Sequence, residues 1–211
     1  MENDIVVAIT GASGMPYARR LLQVLCDRGI QVHLSISEAA LIVIRQELGL
    51  ELNLDMKDPD IDALVGRPDC PVWYYKVTQL DAALASGGSF PPGGMVIVPC
   101  SMNTLGAVAN GLAANLIQRA AAVAMKEKRR MVIVPRETPL TAIHLENMLR
   151  LSRSGVCVLP AMPGFYHYPK DLDDIVDFMV AKILDALNVE HDLLVPKEKD
   201  VPPYLRRTQG K

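Results

Sequence analysis

The sequence predicts a single α/β domain built on a Rossmann-like or flavodoxin-like open parallel sheet with helices on both faces. Three observations predict it. Short, continuously apolar, β-branched runs recur at residues 4–10, 95–100, 131–135 and 156–160, the pattern of strands covered on both sides. Helical patterns lie between them, as parallel neighbours require. Each run stops in a polar or glycine-rich turn, and ligands of such sheets sit beyond the carboxyl ends of the strands.

At 211 residues the chain suits one domain with a full core. We divide it into a domain over residues 1–188 and a proline-containing tail over 189–211, expected to pack on a neighbouring subunit. A formal net charge of -2 gives no general field for nucleic acid or a membrane surface. No apolar run approaches the roughly 18 residues of a membrane span, and the start shows no secretory signal. These features suggest a cytoplasmic protein. Cys26, Cys70, Cys100 and Cys157 are widely spaced, without the pairing of a zinc site. They read as reduced core thiols, with Cys100 set apart because it closes a strand at the candidate site.

In chain order, the first strand leads into Gly11-Ala-Ser-Gly14 and a helix from Met15 that Gly29 terminates. Strand, glycine turn and helix together let backbone amides and a helix N-terminus approach an anion. The pattern is not G-x-G-x-x-G and lacks the acidic ribose-binding residue, so a mononucleotide fits better than a nicotinamide dinucleotide. Residues 31–36 read as the second strand. Ser37 then opens a helix to Leu48, as an N-cap or as a phosphate contact. Glu47 lies ten residues on, about 15 Å along that helix. His33 reads as structural.

Residues 72–77 have strand character, 80–85 look helical, and 86–94 form a mobile glycine-rich loop that is either a lid or a connector. Trp73 belongs to the core or to an interface. The run 95–100 empties into Ser101-Met-Asn-Thr104, whose hydroxyl and amide groups suit a phosphate; the plain alternative is a helix start capped by Thr104. Two short helices broken near Asn110-Gly111 follow, the second capped by Asn115 and carrying Arg119 and Lys126 on one face. Strand 131–135 ends directly on Arg136-Glu137, and the fork of Arg136 matches a phosphate. Pro139 begins the next helix, residues 156–160 form a buried strand, and 161–169 form a Pro/Gly/aromatic loop suited to gripping a small apolar substrate. A last amphipathic helix over 171–188 carries Lys182.

Taken together, Gly11-Ala-Ser-Gly14, Ser37-Glu-Ala-Ala40, Pro99-Cys-Ser-Met-Asn-Thr104, Asn115-Leu-Ile-Gln-Arg-Ala120, Val134-Pro-Arg-Glu-Thr-Pro139, Ile143-His-Leu-Glu-Asn-Met148 and Pro163-Gly-Phe-Tyr-His167 resemble the flavin prenyltransferase (UbiX) family in order and spacing. The resemblance spans about residues 4–188. It implies a metal-independent transferase that joins a dimethylallyl group, from dimethylallyl phosphate, to N5 and C6 of reduced FMN. The product, prenylated FMN, serves UbiD-type decarboxylases. It also implies a homo-oligomer, usually a dodecamer, with sites at subunit interfaces.

By the same resemblance, Gly11, Ala12, Ser13, Ser37, Ser101, Met102, Asn103, Thr104, Arg119 and Arg136 bind FMN. Lys126, Arg136, Glu137, Tyr166 and Lys182 bind the prenyl phosphate, and Ser13, Glu47, Glu137 and Lys126 are catalytic. Position 182 departs from several relatives, which carry arginine, and an ammonium lacks the bidentate fork. Two other readings are an FMN-dependent cysteine decarboxylase and a non-catalytic FMN-binding protein. Pro135-Arg-Glu-Thr-Pro139 stands where the decarboxylases have a Pro-Ala-Met-Asn type segment, and argues against them.

Overall fold

The structure is a computed structural model that describes residues 3–54 and 60–193; most of the tail lies outside the described residues. Six parallel strands, β1 (Ile5–Ile9), β2 (Val32–Ile36), β3 (Val72–Lys76), β4 (Met95–Cys100), β5 (Met131–Pro135) and β6 (Cys157–Val158), lie in the order β3-β2-β1-β4-β5-β6. This is the Rossmann order, in which the chain runs outward from β1 to one edge, returns to β4 and runs to the other. The direction reverses between β1 and β4. That switch point is where a parallel sheet opens a crevice.

The apolar strands are explained by two cores. Alternate residues point to opposite faces, so Ile5, Val7 and Ile9 join one cluster and Val6 and Ala8 the other. The first face is covered by α1 (Met15–Asp27), α2 (Glu38–Leu48), α3 (Ile61–Val65) and α7 (Leu172–Leu187). The second is covered by α4 (Met102–Ala109), α5 (Leu116–Lys126) and, through Leu151, α6 (Ala142–Arg153). Beneath β2 the second face is polar: His33 is buried, its Nδ1 lies 3.0 Å from the Tyr75 hydroxyl, and Asp4 is 3.7 Å from Nε2. Burial lowers the pKa of His33, and Asp4 only partly opposes this.

Several boundaries differ from expectation. Residues 80–85 do not form a helix; Leu80 is exposed, and only a 3-10 turn at Ala83–Ala85 forms, anchored by buried Leu84. The following loop is a pinned connector. Phe90 is buried, the Gly93 amide donates to the Asp4 carbonyl at 3.0 Å, and a Cβ on Gly93 would stand 2.7 Å from the carbonyl oxygens of Asn3 and Asp4. The helix assigned to Pro139 begins at Ala142, because Thr141 is the N-cap: it accepts from the His144 amide while its own amide donates to His144 Nδ1. The strand predicted at 156–160 shrinks to the two residues of β6, an edge strand whose Cys157 is exposed.

The reading as reduced core thiols does not hold for Cys26, Cys70 and Cys157. Cys26 and Cys70 are joined as a disulfide, Cys157 is exposed, and Cys100 alone is a buried free thiol whose pKa is pushed up by desolvation. Trp73 is 58% exposed, which removes it from the core of this chain. Among the described residues no helix is long and apolar enough to cross a membrane.

Candidate functional site at the carboxyl edge

Four strand ends converge around the switch point. After β1, the turn Gly11-Ala-Ser-Gly14 packs directly under α2: a Cβ on Gly11 would stand 2.6 Å from that of Ala39. Gly14 has φ 118°, the left-handed region that glycine enters without strain, and is the N-cap of α1. What closes that cap is Glu47. Its Oε2 accepts from the amides of Gly14 at 2.9 Å and Met15 at 2.8 Å.

This corrects the sequence reading of the turn. The N-terminus of α1 is already satisfied by a carboxylate, so it is not a vacant anion site; the turn instead offers a close backbone surface at Gly11, Ala12 and Ser13. Glu47 therefore caps α1, and it also helps to raise the pKa of Tyr17, whose main cause is burial.

α4 keeps free amides at its start. Ser101, rather than Thr104, is the cap: its Oγ accepts from the Thr104 amide at 3.3 Å and lies 3.1 Å from the Thr104 hydroxyl. The amides of Met102 and Asn103 are left without an acceptor among the described residues, as the first turn of a helix leaves them. Ser37, at the end of β2, behaves in a matching way. Its amide donates to the Ile9 carbonyl at 2.9 Å, but its Oγ is buried, makes no cap bond and has no partner among the described residues. A buried hydroxyl left unpaired costs about 1–3 kcal/mol. A ligand oxygen would remove that penalty.

After β5, the Arg136 amide donates to the Cys100 carbonyl at 3.4 Å, which ties the β5 exit to the β4 exit. Arg136 and Glu137 are exposed, and Glu137 Oε1 accepts from the Thr138 amide at 3.0 Å. Both line a cavity of about 70 Å³ whose apolar walls include Met102, Leu140, Met148 and Met162.

Tyr166 and Lys182 meet through a residue the sequence reading did not single out, Phe178. The Tyr166 ring stands edge-on to it at 5.6 Å, His167 stacks on it at 4.9 Å, and Lys182 Nζ lies 6.0 Å from its centroid. Lys182 also pairs with Asp185 at 3.3 Å. Burial raises the Asp185 pKa, but hydrogen bonds from His191 and Lys182 outweigh it and hold the carboxyl below its ordinary value.

Lys126, predicted for the site, stands elsewhere in the single chain, and Arg119 is engaged by the 3-10 turn. Arg119 donates from Nε to the Ala85 carbonyl at 3.2 Å, and Lys126 pairs with Glu127 at 3.1 Å. Lys126 ends α5 just before the amino end of β5, whereas Arg136 follows its carboxyl end. A five-residue strand separates the two edges by about 16 Å. The expected polar cluster of Lys126 with Glu137 is thus not formed within one chain. Phe178 and the capping role of Glu47 were the features missed.

This arrangement has known counterparts. The flavoprotein family pattern matches residues 1–184. A flavin prenyltransferase UbiX of Halalkalibacterium halodurans is 51% identical over 187 residues, covering 89% of each chain. Among solved structures, AnUbiX (PadA1) in complex with FMN and dimethylallyl pyrophosphate superimposes with TM-score 0.79 at 34% identity, over 90% of this chain and 94% of that one. A dodecameric FMN-dependent UbiX-like decarboxylase from Escherichia coli O157:H7 gives TM-score 0.78 at 41% identity, over 89% and 96%. The chain belongs to the flavoprotein family and, within it, to the UbiX flavin prenyltransferases.

Proposed function

We propose that the carboxyl edge of this sheet holds reduced FMN and a dimethylallyl phosphate ester and joins the two as prenylated FMN. The observation that carries the reading is the unpaired, buried Ser37 hydroxyl on one side of β1 and the open α4 N-terminus on the other. Those are fitting partners for a nucleotide phosphate. Arg136 adds a fixed positive charge beside α4. Gly11, Ala12 and Ser13 then meet the flavin ring, where Ser13 orients it. When bound, reduced FMN supplies the nucleophilic N5 and C6 atoms.

Tyr166 and Lys182 hold the ester phosphate and stabilise charge that develops there as the allylic C–O bond breaks, the electrostatic service such a step most needs. The aromatic wall of Tyr166 and Phe178 shields the electron-poor dimethylallyl fragment from water and faces it with ring quadrupoles. Glu47 and Glu137 each have one carboxylate oxygen engaged by backbone amides. Their second oxygens, Oε1 of Glu47 and Oε2 of Glu137, are the candidate proton acceptors. Arg119 also binds FMN, and Lys126 reaches the site from a second copy, within a homo-oligomer of the dodecameric kind.

The proposal extends to a cytoplasmic location and to a UbiD-type decarboxylase as recipient of the product, both supported by family membership. The Cys26–Cys70 bond weighs against the first, because cytosolic chains rarely keep disulfides. Family membership also favours the transferase over a cysteine decarboxylase. The test is anaerobic incubation with reduced FMN and dimethylallyl mono- or diphosphate, followed by mass analysis of the extracted flavin. A flavin heavier by one five-carbon isoprene unit is expected. Unmodified flavin with both donors would refute the transferase reading.

A further inference from the structure

The crevice between β1 and β4 is held by a residue that takes no part in the site as described so far. The β1–β4 ladder runs only through Val6↔Met95, Val7↔Val96 and Ala8↔Ile97. Beyond it β4 carries Pro99, which has no amide hydrogen to offer a neighbouring strand, and its pairing with β5 shifts register between Ile97 and Cys100. The sheet would come apart here, at the point where the ligand crevice opens. Thr10 closes the gap. Its amide donates to the Pro99 carbonyl at 3.2 Å, its hydroxyl donates to the same carbonyl at 2.9 Å, and the hydroxyl oxygen accepts from the Ser101 amide at 2.8 Å.

The residue is 1% exposed, so water does not substitute for these bonds. Each of its neighbours leads to one wall of the crevice. Gly11 to Ser13 follow Thr10 directly, and Ser101 is the cap that starts α4. Because Thr10 satisfies the Ser101 amide, the Ser101 side chain stays on Thr104 and the Met102 and Asn103 amides keep their direction. One hydroxyl thus fixes the glycine turn relative to the helix terminus.

We infer that Thr10 is a positioning residue for flavin binding, setting the separation of the ring-facing turn from the phosphate-facing start of α4. This rests on the reading that FMN occupies the crevice. Thr10 touches neither of the groups assigned to the prenyl ester, Tyr166 and Lys182, which are organised by Phe178 on α7. Its effect therefore falls on flavin affinity and leaves the ester untouched.

The test compares the full-length protein with T10V, which keeps shape and removes the hydroxyl, and T10S, which keeps the hydroxyl. FMN affinity is read by fluorescence quenching, KM for the dimethylallyl ester by single-turnover rates at saturating reduced FMN, and folding by far-UV circular dichroism. T10V, which loses both hydrogen bonds of the hydroxyl, is expected to weaken FMN about tenfold, with the ester KM within twofold of the parent. T10S should recover FMN affinity to within about threefold. If T10V does not fold, T10A carries the same expectation.

A folded T10V that binds FMN like the parent would overturn the inference. So would a T10S as weak as T10V, which would make the methyl group responsible, or a parallel rise in ester KM, which would mean general loosening. A parent protein that does not bind FMN at all would instead overturn the flavin reading, and this inference with it.

Discussion

Glu47 and Glu137 are the residues proposed as proton acceptors, and each is held through one oxygen only. Glutamine at either position keeps a carbonyl oxygen for the backbone amides while removing the ability to accept a proton. E47Q and E137Q are each expected to slow turnover about a hundredfold, the contribution of a positioned acid or base, with FMN affinity within about threefold of the parent. Single-turnover rates alongside FMN titration check this. Undiminished rates in both variants would remove the proton-transfer roles. At this scale the sequence was legible where a motif is local. Arg136 and Glu137 follow an apolar strand directly, and both line one cavity. It was illegible where the partner is distant, as with Glu47, whose amide partners lie 32 and 33 residues away.

The strands could be read as elements because residues buried on both faces leave a continuous apolar run, and β1, β4 and β5 came out within a residue or two of their bounds. Capped helices were equally readable: Asn115 accepts from the Gln118 amide at the start of α5, and Gly49 ends α2 in the left-handed region. Elements governed by tertiary pairing were not. β6 is shortened by its edge position, and the segment before Phe90 is shaped by what it buries. The polar underside of β2 has a consequence for stability. His33 has a lowered pKa in the folded state, so it favours the neutral form there, and the unfolded chain takes up the proton first. Its contribution is fully present above the ordinary imidazole value, about 6.5, and is lost as pH falls through that value toward the lower folded one. The melting temperature is expected to fall between about pH 7 and pH 5, and less steeply in H33Q, as scanning calorimetry would read. Equal slopes would mean that His33, facing Asp4, Tyr75 and Trp73, is not the titrating group.

At the scale of the whole molecule, the Rossmann order decides where the ligand goes, and side chains decide which end of it goes where. A glycine turn before a helix invites a phosphate, yet here Glu47 occupies α1, whereas amides at the start of α4 are left unfilled. The sequence pointed to the same crevice that the strand order opens, because strand ends and polar turns mark it. It did not show which helix terminus was taken, since that depends on an acid delivered from the far end of α2. Nor did it show that Lys126 is separated from Arg136 within one chain, a separation that makes neighbouring copies part of the proposed site. The most direct measurement is a crystal structure of the protein with FMN. The phosphate is expected within hydrogen-bond distance of the Met102 and Asn103 amides and Ser37 Oγ, with the ring against Gly11 to Ser13 and Glu47 still on Gly14 and Met15. A phosphate seated on the N-terminus of α1, with Glu47 displaced, would contradict the account.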